Sequence, residues 1–225
     1  PFSLEGLDAR KAREKTYQKF VKDFLRAGAA IDDQIGKLVD YLKAEGLYEN
    51  TIIVYTSDQG YFLGEHGFFD KRFIYEPSLR MPTVIKTVES GVKDLRVQDL
   101  LLNIDFAPTM LSWAGLPIPA SMQGQAFGTL LNEEGESANS YRKRGAIYYR
   151  YWTNNDQRPA HYGIRTDRYK LVNFYGLGGD HWELYDLEED PHESHNVYGQ
   201  FAEEDWVENL KQELLQEQRR VGDEY

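Results

Sequence analysis

The longest regular pattern in the sequence is an apolar stripe near its start, in which side chains recur at steps of four or three residues. Side chains at this spacing lie on one face of an α-helix. The stripe consists of Phe20, Phe24, Ala27, Ile31, Ile35, Leu38 and Leu42. Gly46 ends the predicted helix, and Gly28 and Gly36 inside it each cost about 1 kcal/mol relative to alanine. We therefore expect packing against other elements to hold this helix.

Short apolar runs after the helix predict buried strands. Residues 51–56 read Thr-Ile-Ile-Val-Tyr-Thr, a β-branched run typical of a strand buried on both faces. Residues 82–86 predict another buried strand, and residues 100–104 are a further candidate. Asp105 is placed to cap a helix through Ala114, which Gly115 ends. A helix followed by buried strands indicates an α/β layer.

The second part of the sequence has a different residue pattern. Residues 131–139 lose all periodicity and form the best linker candidate. Beyond them lie short aromatic segments that predict strands at residues 146–152, 161–165, 168–174 and 182–185. Trp206, Leu210 and Leu214 share one face of a closing helix. We expect a small antiparallel sheet with one helix at residues 140–225, appended to an α/β portion at residues 1–131.

Composition excludes several classes of protein. The formal net charge is −11, whereas binding to nucleic acid through its phosphates requires a basic surface, so we expect no nucleic-acid partner. No run approaches the ~18 apolar residues of a membrane span. The sequence has 0 cysteines, which excludes disulfides, thiolate metal sites and a cysteine nucleophile. Hydrophobic residues make up 41% of the chain, which is enough for a packed core.

A carboxylate and an amide follow the predicted strand at residues 51–56. Asp58 and Gln59 lie where that strand ends, which is where open α/β sheets place their ligand sites. Oxygen ligands of this kind suit a hard cation such as Ca²⁺ or Mg²⁺, provided that Gly60 lets the backbone leave strand geometry. The alternative is an ordinary turn, which Asp-Gln-Gly also favours.

The stretch at residues 57–81 is too long for an ordinary turn, and loops of this length are usually functional. His66, between glycine and glutamate neighbours, could move a proton or contact an anion. Lys71 offers an ammonium charge for a tetrahedral oxyanion. The alternative for both residues is a solvated charged loop without a function.

The order of these motifs resembles the second half of the sulfatase family. The resemblance is carried by Thr-Ile-Ile-Val-Tyr-Thr-Ser-Asp-Gln-Gly at 51–60, Leu-Gly-Glu-His-Gly at 63–67, Asp-Lys-Arg at 70–72, Tyr-Glu at 75–76 and Arg-Met-Pro at 80–82. Further matches follow at 103–109, 114–117, 123–124, 161–170 and 183–192. It runs from about residue 16 to the end. It implies the C-terminal part of an alkaline-phosphatase-like α/β sandwich, with the small antiparallel subdomain after it.

The resemblance also implies a reaction, namely metal-assisted hydrolysis of sulfate esters. In the family, two further Asp ligands and a formylglycine, made from Cys or Ser in a Cys/Ser-x-Pro-x-Arg motif, lie in the N-terminal half. That motif does not occur in the 225 residues, which begin at Pro1 rather than Met. We therefore expect a C-terminal fragment that works with its own N-terminal half and is inactive alone. The metal implied is Ca²⁺, with Mg²⁺ as the alternative.

The family's roles transfer to individual positions. Asp58 matches an acidic metal ligand, and Gln59 matches the neighbouring ligand position, where Asn or His is commoner. Lys71 matches the lysine that contacts sulfate and nucleophile, and His66 lies in a loop that faces the pocket. Arg80 and Glu76 are expected to pair and support the loop.

In the second subdomain, His161 and Arg150 are candidates for contact with a sugar. Packing of the sheet is the alternative for these two side chains.

Other readings remain open. A phosphoester or phosphonate hydrolase of the same superfamily would use a metal and a lysine equally well. A non-catalytic carbohydrate-binding module is a further alternative, since 14% of the residues are aromatic. The C-terminal block resembles exported bacterial glycan sulfatases, which implies a sulfated sugar as substrate and an exported protein. The oligomeric state is left open.

Overall fold

A computed structural model describes residues 2–88, 95–131, 141–154 and 158–223. In chain order the first part contains helix α1 (Ala9–Ala44), strands β1 (Ile53–Thr56), β2 (Phe62–Leu63) and β3 (Phe69–Asp70), helix α2 (Glu76–Leu79), strand β4 (Thr83–Lys86) and helix α3 (Phe106–Trp113). The second part contains strands β5 (Ala146–Tyr151), β6 (His161–Thr166), β7 (Tyr169–Asn173) and β8 (Trp182–Asp186), followed by helices α4 (Tyr198–Phe201) and α5 (Asp205–Val221).

Helix α1 confirms the predicted stripe, but its packing differs from the expectation. Asp8 begins the helix by accepting a hydrogen bond from the backbone N–H of Lys11, and Gly46 follows its end with φ of +70°. None of its 36 residues is buried among the described part of the chain. Phe20 and Phe24 pack on the ring of Tyr61. Farther along the stripe, Ile35 and Leu42 are half-buried, whereas half of the Ile31 and Leu38 surfaces is exposed.

The strand predicted at residues 51–56 forms as β1, but it is not buried on both faces. It pairs with β4 alone in an antiparallel sheet of two strands, with Val54 opposite Ile85. Tyr55 remains 40% exposed and Val84 65% exposed. The expectation of a strand buried on both faces is therefore wrong for this chain as it stands, because no residue of β1 or β4 is fully buried and the face with Tyr55 and Val84 is largely exposed.

The strand proposed at residues 100–104 is wrong. A 3₁₀ turn at Asn103–Asp105 occupies the end of that segment and leads into α3. Asp105 also acts differently from a simple helix cap, because its carboxylate accepts from the backbone N–H groups of Leu102 and Gln125. Leu102 and Leu101 are half-buried without a partner strand. The apolar residues at 100–104 therefore pack around a turn and do not form a strand of a sheet.

The C-terminal part confirms the predicted antiparallel sheet and closing helix. Its strand order is β5-β6-β7-β8, and each strand pairs antiparallel with the next along the chain. Helix α5 covers one face of this sheet through Val207, Leu210 and Leu214, all of them buried against Ile164 and Leu171. The predicted boundary between residues 131 and 140 stays a prediction, since residues 132–140 lie outside the described part of the chain.

The other face of the C-terminal sheet packs on the loop that carries the candidate site. A core cluster combines side chains of that loop with side chains of β7, β8 and the turn between them: Phe62, Phe73, Ile74, Tyr75, Val172, Phe174 and Tyr185. The sheet thus positions residues 62–75 directly. No helix in the described ranges has the length and apolar character that a membrane crossing requires.

A second buried contact joins α3 to the start of β5. Arg144 donates two hydrogen bonds of 2.6 Å to the carboxylate of Asp105. The Asp105 side chain is fully buried and that of Arg144 is 8% exposed. A buried, paired charge contributes little net stability, but loss of one partner leaves the other charge uncompensated.

We expect Arg144→Ala to lower the free energy of unfolding of the complete protein by about 3 to 5 kcal/mol, because Asp105 would stay buried without its counter-charge. Urea denaturation provides the measurement. The matched control is Arg168→Ala, which breaks another Arg–Asp pair, with Asp186, where the arginine is 48% exposed. A loss no larger for Arg144→Ala than for Arg168→Ala would show that the buried pair has no special importance.

Candidate active site

A tight turn at the end of β1 presents Asp58 and Gln59. The Ser57 hydroxyl donates to the Gln59 carbonyl at 2.9 Å, and the Gly60 N–H donates to the Ser78 carbonyl at 2.8 Å. A Cβ atom at Gly60 would lie 2.2 Å from the carbonyl oxygen of Pro77, so only glycine allows this approach. Asn103 donates from its side chain to the Asp58 carbonyl at 2.7 Å. The backbone therefore leaves strand geometry here, which is the condition for Asp58 and Gln59 to reach one ion and is equally compatible with an ordinary turn.

Lys71 and Asp58 are brought together although 13 residues separate them. The Lys71 ammonium donates to the Asp58 carboxylate. This hydrogen bond and the positive charge of Lys71 hold the pKa of Asp58 below its usual value. The Asp58 side chain is 77% exposed and that of Lys71 is 28% exposed, so the pair faces solvent. The structure thus places a candidate metal ligand and the candidate oxyanion-binding cation at one point.

The backbone on both sides of Lys71 is in a conformation that favours glycine. Asp70 has φ of +84° and Arg72 has φ of +97°. Non-glycine residues in this region cost about 1 to 3 kcal/mol each and persist only when their surroundings hold them. Asp70 is held by ion pairs with Arg72 and with Arg158, the latter at 2.9 Å. Tyr149 also donates its hydroxyl to the Arg72 carbonyl at 2.5 Å.

Glu76 anchors the loop from its far end, though not mainly through Arg80. Its carboxylate lies 2.9 Å from the Lys170 ammonium and 3.3 Å from the Arg165 guanidinium. Burial raises the pKa of Glu76, but Lys170 and Arg165 together bring it below its usual value. Arg80 lies 3.9 Å away and its side chain is 79% exposed, so it is a minor partner.

Glu193 completes this cluster and had no signal in the sequence analysis. Its carboxylate accepts from the Lys170 ammonium at 2.6 Å and from the Glu76 backbone N–H at 2.7 Å. Both the Glu193 and the Lys170 side chains are fully buried. A lysine within an alternating strand, and a glutamate in a charged turn, both look like surface residues when only local sequence is considered. Their partnership depends on contacts between distant segments.

His66 lies apart from the Asp58–Lys71 pair. Its backbone has φ of +54°, and its ring stacks on Tyr75 with 4.7 Å between centroids. It is exposed, and no hydrogen bond joins it to Asp58 or Lys71 within the described residues. Its catalytic role stays a prediction.

The side chains of the two candidates for sugar contact are engaged in contacts within the protein. His161 is fully buried, with its ring against Phe73 and Phe174. Arg150 pairs with Asp223 at 2.7 Å and lies 3.8 Å above the Trp152 ring. Neither side chain is open to a ligand in this structure, so the packing alternative accounts for both, and contact with a sugar stays a prediction.

Comparison with known proteins identifies the class. The family model described as "N-sulphoglucosamine sulphohydrolase, C-terminal" matches residues 64–220, and the model described as "Sulfatase" matches residues 6–116. The first match covers the loop with Lys71 and the whole C-terminal sheet. The chain belongs to the sulfatase family, and its fold is of the alkaline-phosphatase-like type.

Individual relatives agree with this membership. The chain is 42% identical over 212 residues to an N-acetylglucosamine-6-O-sulfatase of Bacteroides thetaiotaomicron, a match that covers 92% of this chain and 37% of the relative. A solved protein in complex with its substrate D-glucosamine-2-N,6-O-disulfate is 38% identical with a TM-score of 0.81, over 97% of this chain and 44% of that one. A phosphonate monoester hydrolase from Silicibacter pomeroyi is 25% identical with a TM-score of 0.77, over 97% and 44% respectively. The chain therefore spans less than half the length of these relatives.

The buried His161 makes stability depend on pH. Its Nδ1 donates to the Pro159 carbonyl at 2.9 Å, while Nε2 is buried without a hydrogen-bond partner in the described structure. Burial lowers the pKa of His161 from 6.5 to about 4. Below pH 6.5 the His161 imidazole therefore becomes protonated in the unfolded chain, whereas in the folded chain it stays neutral down to about pH 4.

We expect the free energy of unfolding to fall as the pH drops from 6.5 to 4, with a contribution from His161 of about 1.4 kcal/mol per pH unit. His161→Phe, which keeps an aromatic ring in the same place, should remove this contribution. Denaturation at a series of pH values measures the difference between the two proteins. The exposed His192→Gln is the control and should retain the wild-type dependence. Parallel curves for wild type and His161→Phe would contradict the assignment.

Proposed function

We propose that this chain is the C-terminal part of an enzyme that hydrolyses a sulfate ester of a sugar. The observation that carries the proposal is the contact between Lys71 and Asp58. The sulfatase family model matches both residues, and the sulphohydrolase model, which begins at residue 64, matches Lys71. The names of the relatives support a sugar, since one acts as an N-acetylglucosamine-6-O-sulfatase and another binds a disulfated glucosamine.

Lys71 supplies a fixed positive charge in the proposed reaction. Its ammonium would contact the sulfate group and stabilise the negative charge that develops on the departing ester oxygen as the S–O bond breaks. A preorganised charge that costs no reorganisation stabilises such a transition state strongly. Contacts of Arg158 with Asp70 and of Tyr149 with the Arg72 carbonyl hold the backbone on both sides of Lys71, and the Asp58 carboxylate accepts from its ammonium, so less ordering of this charge is needed during the reaction.

The donor atoms near Asp58 fit a divalent cation only in part. Asp58 and Gln59 supply oxygen atoms, which are the ligands that Ca²⁺ and Mg²⁺ prefer. The described residues contain no group of three or more His, Cys, Asp or Glu that could hold a metal ion, so further ligands must come from other residues. A bound cation, with Ca²⁺ favoured and Mg²⁺ the alternative, would supply positive charge beside the sulfate oxygens.

The remaining parts of the site are proposed to come from segments that the longer relatives carry beyond this match. They include the formylglycine nucleophile and the further metal ligands. The open faces of α1 and of the β1–β4 pair fit this proposal, because exposed apolar patches mark surfaces that another element covers. We also propose that the complete protein is exported, as the resemblance to bacterial glycan sulfatases implies.

A phosphonate or phosphoester hydrolase is the second candidate, favoured by the likeness to the phosphonate monoester hydrolase. A panel of aryl sulfate, aryl phosphate and phosphonate monoester substrates separates the two. The carbohydrate-binding module has less support, because the aromatic residues Phe73, Tyr75 and Phe174 are buried in the core rather than displayed.

We expect Lys71→Ala in the complete enzyme to lower turnover of a sulfate ester on the order of 100-fold to 1000-fold. The melting temperature should stay unchanged, because the side chain faces solvent beside Asp58. Lys71→Arg should restore little, since a planar fork replaces a point charge. Steady-state kinetics and calorimetry give the two measurements.

Two controls accompany this substitution. Arg72→Ala should be milder, because its side chain pairs with Asp70 rather than with Asp58. Lys143→Ala removes a lysine that pairs with Asp167 at 2.8 Å, outside the loop, and should leave turnover intact. Near-wild-type turnover of Lys71→Ala, or a loss of turnover through unfolding alone, would contradict the assignment of this loop to the sulfate pocket.

We expect residues 1–225 alone to show no turnover of an aryl sulfate and only weak binding of Ca²⁺. Asp58 and Gln59 would leave most of the coordination shell to water. Kinetic assay and calorimetric titration test both points. Chelator-sensitive turnover, or submillimolar Ca²⁺ binding that Asp58→Ala abolishes, would show a fuller site in this chain than we infer.

A further inference from the structure

Ser78 lies in the short helix α2 and is fully buried. Its hydroxyl oxygen accepts two hydrogen bonds, one from the Arg72 backbone N–H at 2.8 Å and one from the Gln59 side-chain amide at 3.2 Å. Its carbonyl oxygen accepts a third bond, from the Gly60 backbone N–H at 2.8 Å. One residue thus contacts the two segments that meet at the candidate site.

The residues that contact Ser78 are neighbours in the chain of the two charged residues of the site. Gln59 and Gly60 directly follow Asp58, while Arg72 directly follows Lys71. The Arg72 N–H belongs to a residue with φ of +97°, and such a backbone keeps its geometry only when its polar groups are held. The segments that carry Lys71 and Asp58 are therefore joined to each other through hydrogen bonds to Ser78.

We infer that Ser78 is a positioning residue for the reaction, in that its hydroxyl sets the place of the Lys71 ammonium relative to Asp58. This inference rests on the proposed function of Lys71. Ser78 itself does not reach the substrate, since its side chain is buried beneath the loop. We expect its effect on turnover to depend on the Lys71 ammonium, and this dependence distinguishes a positioning residue from one that only contributes to stability.

Thr109 provides a matched comparison, because it has the same burial and the same kind of bond. Its side chain is fully buried, and its hydroxyl accepts from the Phe127 backbone N–H at 3.0 Å. It lies in α3 and has no contact with residues 58–60 or 70–72 among the described hydrogen bonds. Thr109→Val replaces a buried hydroxyl with a methyl group of similar size, and Ser78→Ala removes a buried hydroxyl, so each variant loses one buried hydroxyl.

The experiment is a double-mutant cycle between positions 78 and 71 in the complete enzyme, assayed on a sulfate ester well below the melting temperature. Ser78→Ala should lower kcat on the order of 10-fold to 100-fold, as expected for a displacement of about 1 Å at a reacting group. KM should change by less than about threefold, because the loss appears mainly in the transition state. In the Lys71→Ala background the same change should lower kcat by less than about twofold, since residues that act through one another are not additive.

Thr109→Val should lower the melting temperature about as much as Ser78→Ala while kcat stays at the wild-type value. If Ser78→Ala does not fold, Ser78→Cys takes its place in the cycle, because sulfur accepts hydrogen bonds weakly. Unchanged kcat for the Ser78 variant, or an equal loss of kcat in the presence and absence of Lys71, would overturn the inference. A Lys71→Ala enzyme with normal turnover would instead refute the proposed function. The cycle includes this single variant, so the two failures are distinguished.

Discussion

A lysine buried between two glutamates joins the loop of the candidate site to the C-terminal sheet. The Lys170 ammonium contacts Glu193 and Glu76, and all three side chains are removed from water. Burying such charges costs more than burying apolar groups of the same size, so the cluster is poorly explained as a source of stability alone. What it provides is a defined position for the loop, because the Glu193 carboxylate accepts from both the Lys170 ammonium and the Glu76 backbone N–H. The Glu76 backbone, and with it α2 and the whole loop, takes its place from β7 and the turn at Glu193.

Local patterns were sufficient for elements whose residues repeat with a regular period. The spacing of the stripe from Phe20 to Leu42 predicted α1, although much of that stripe is exposed in the structure, and the short aromatic segments predicted β5–β8. The prediction of a strand at residues 100–104 was wrong because successive leucines that pack around a turn have the same local pattern as a buried strand. The burial of β1 was overestimated for a similar reason, since covering a strand depends on residues far away in the chain.

The candidate site divides in the same way between local and distant information. The motif order predicted Asp58, Gln59 and Lys71 as candidates, and Gly60 explains why the turn after β1 is tight. Nothing in the spacing indicated that Ser78 would receive the Arg72 N–H, or that Lys170 would lie between two carboxylates. These contacts arise only once the loop folds back on the sheet, and they join residues up to 117 positions apart. Polar residues with buried partners are therefore what sequence reasoning missed here.

Helix α1 has a further consequence for how the molecule moves. Its 36 residues are held by their own backbone hydrogen bonds and by few side-chain contacts, whereas Ile164, Leu171 and Val172 in β6 and β7 are completely enclosed. Amide protons of the helix would exchange with solvent through small local openings, while those at the centre of the sheet would exchange only when the sheet itself unfolds. The chain would then report two very different protection levels, and any element that settles on the apolar stripe would reveal its footprint as slowed exchange along one face of α1.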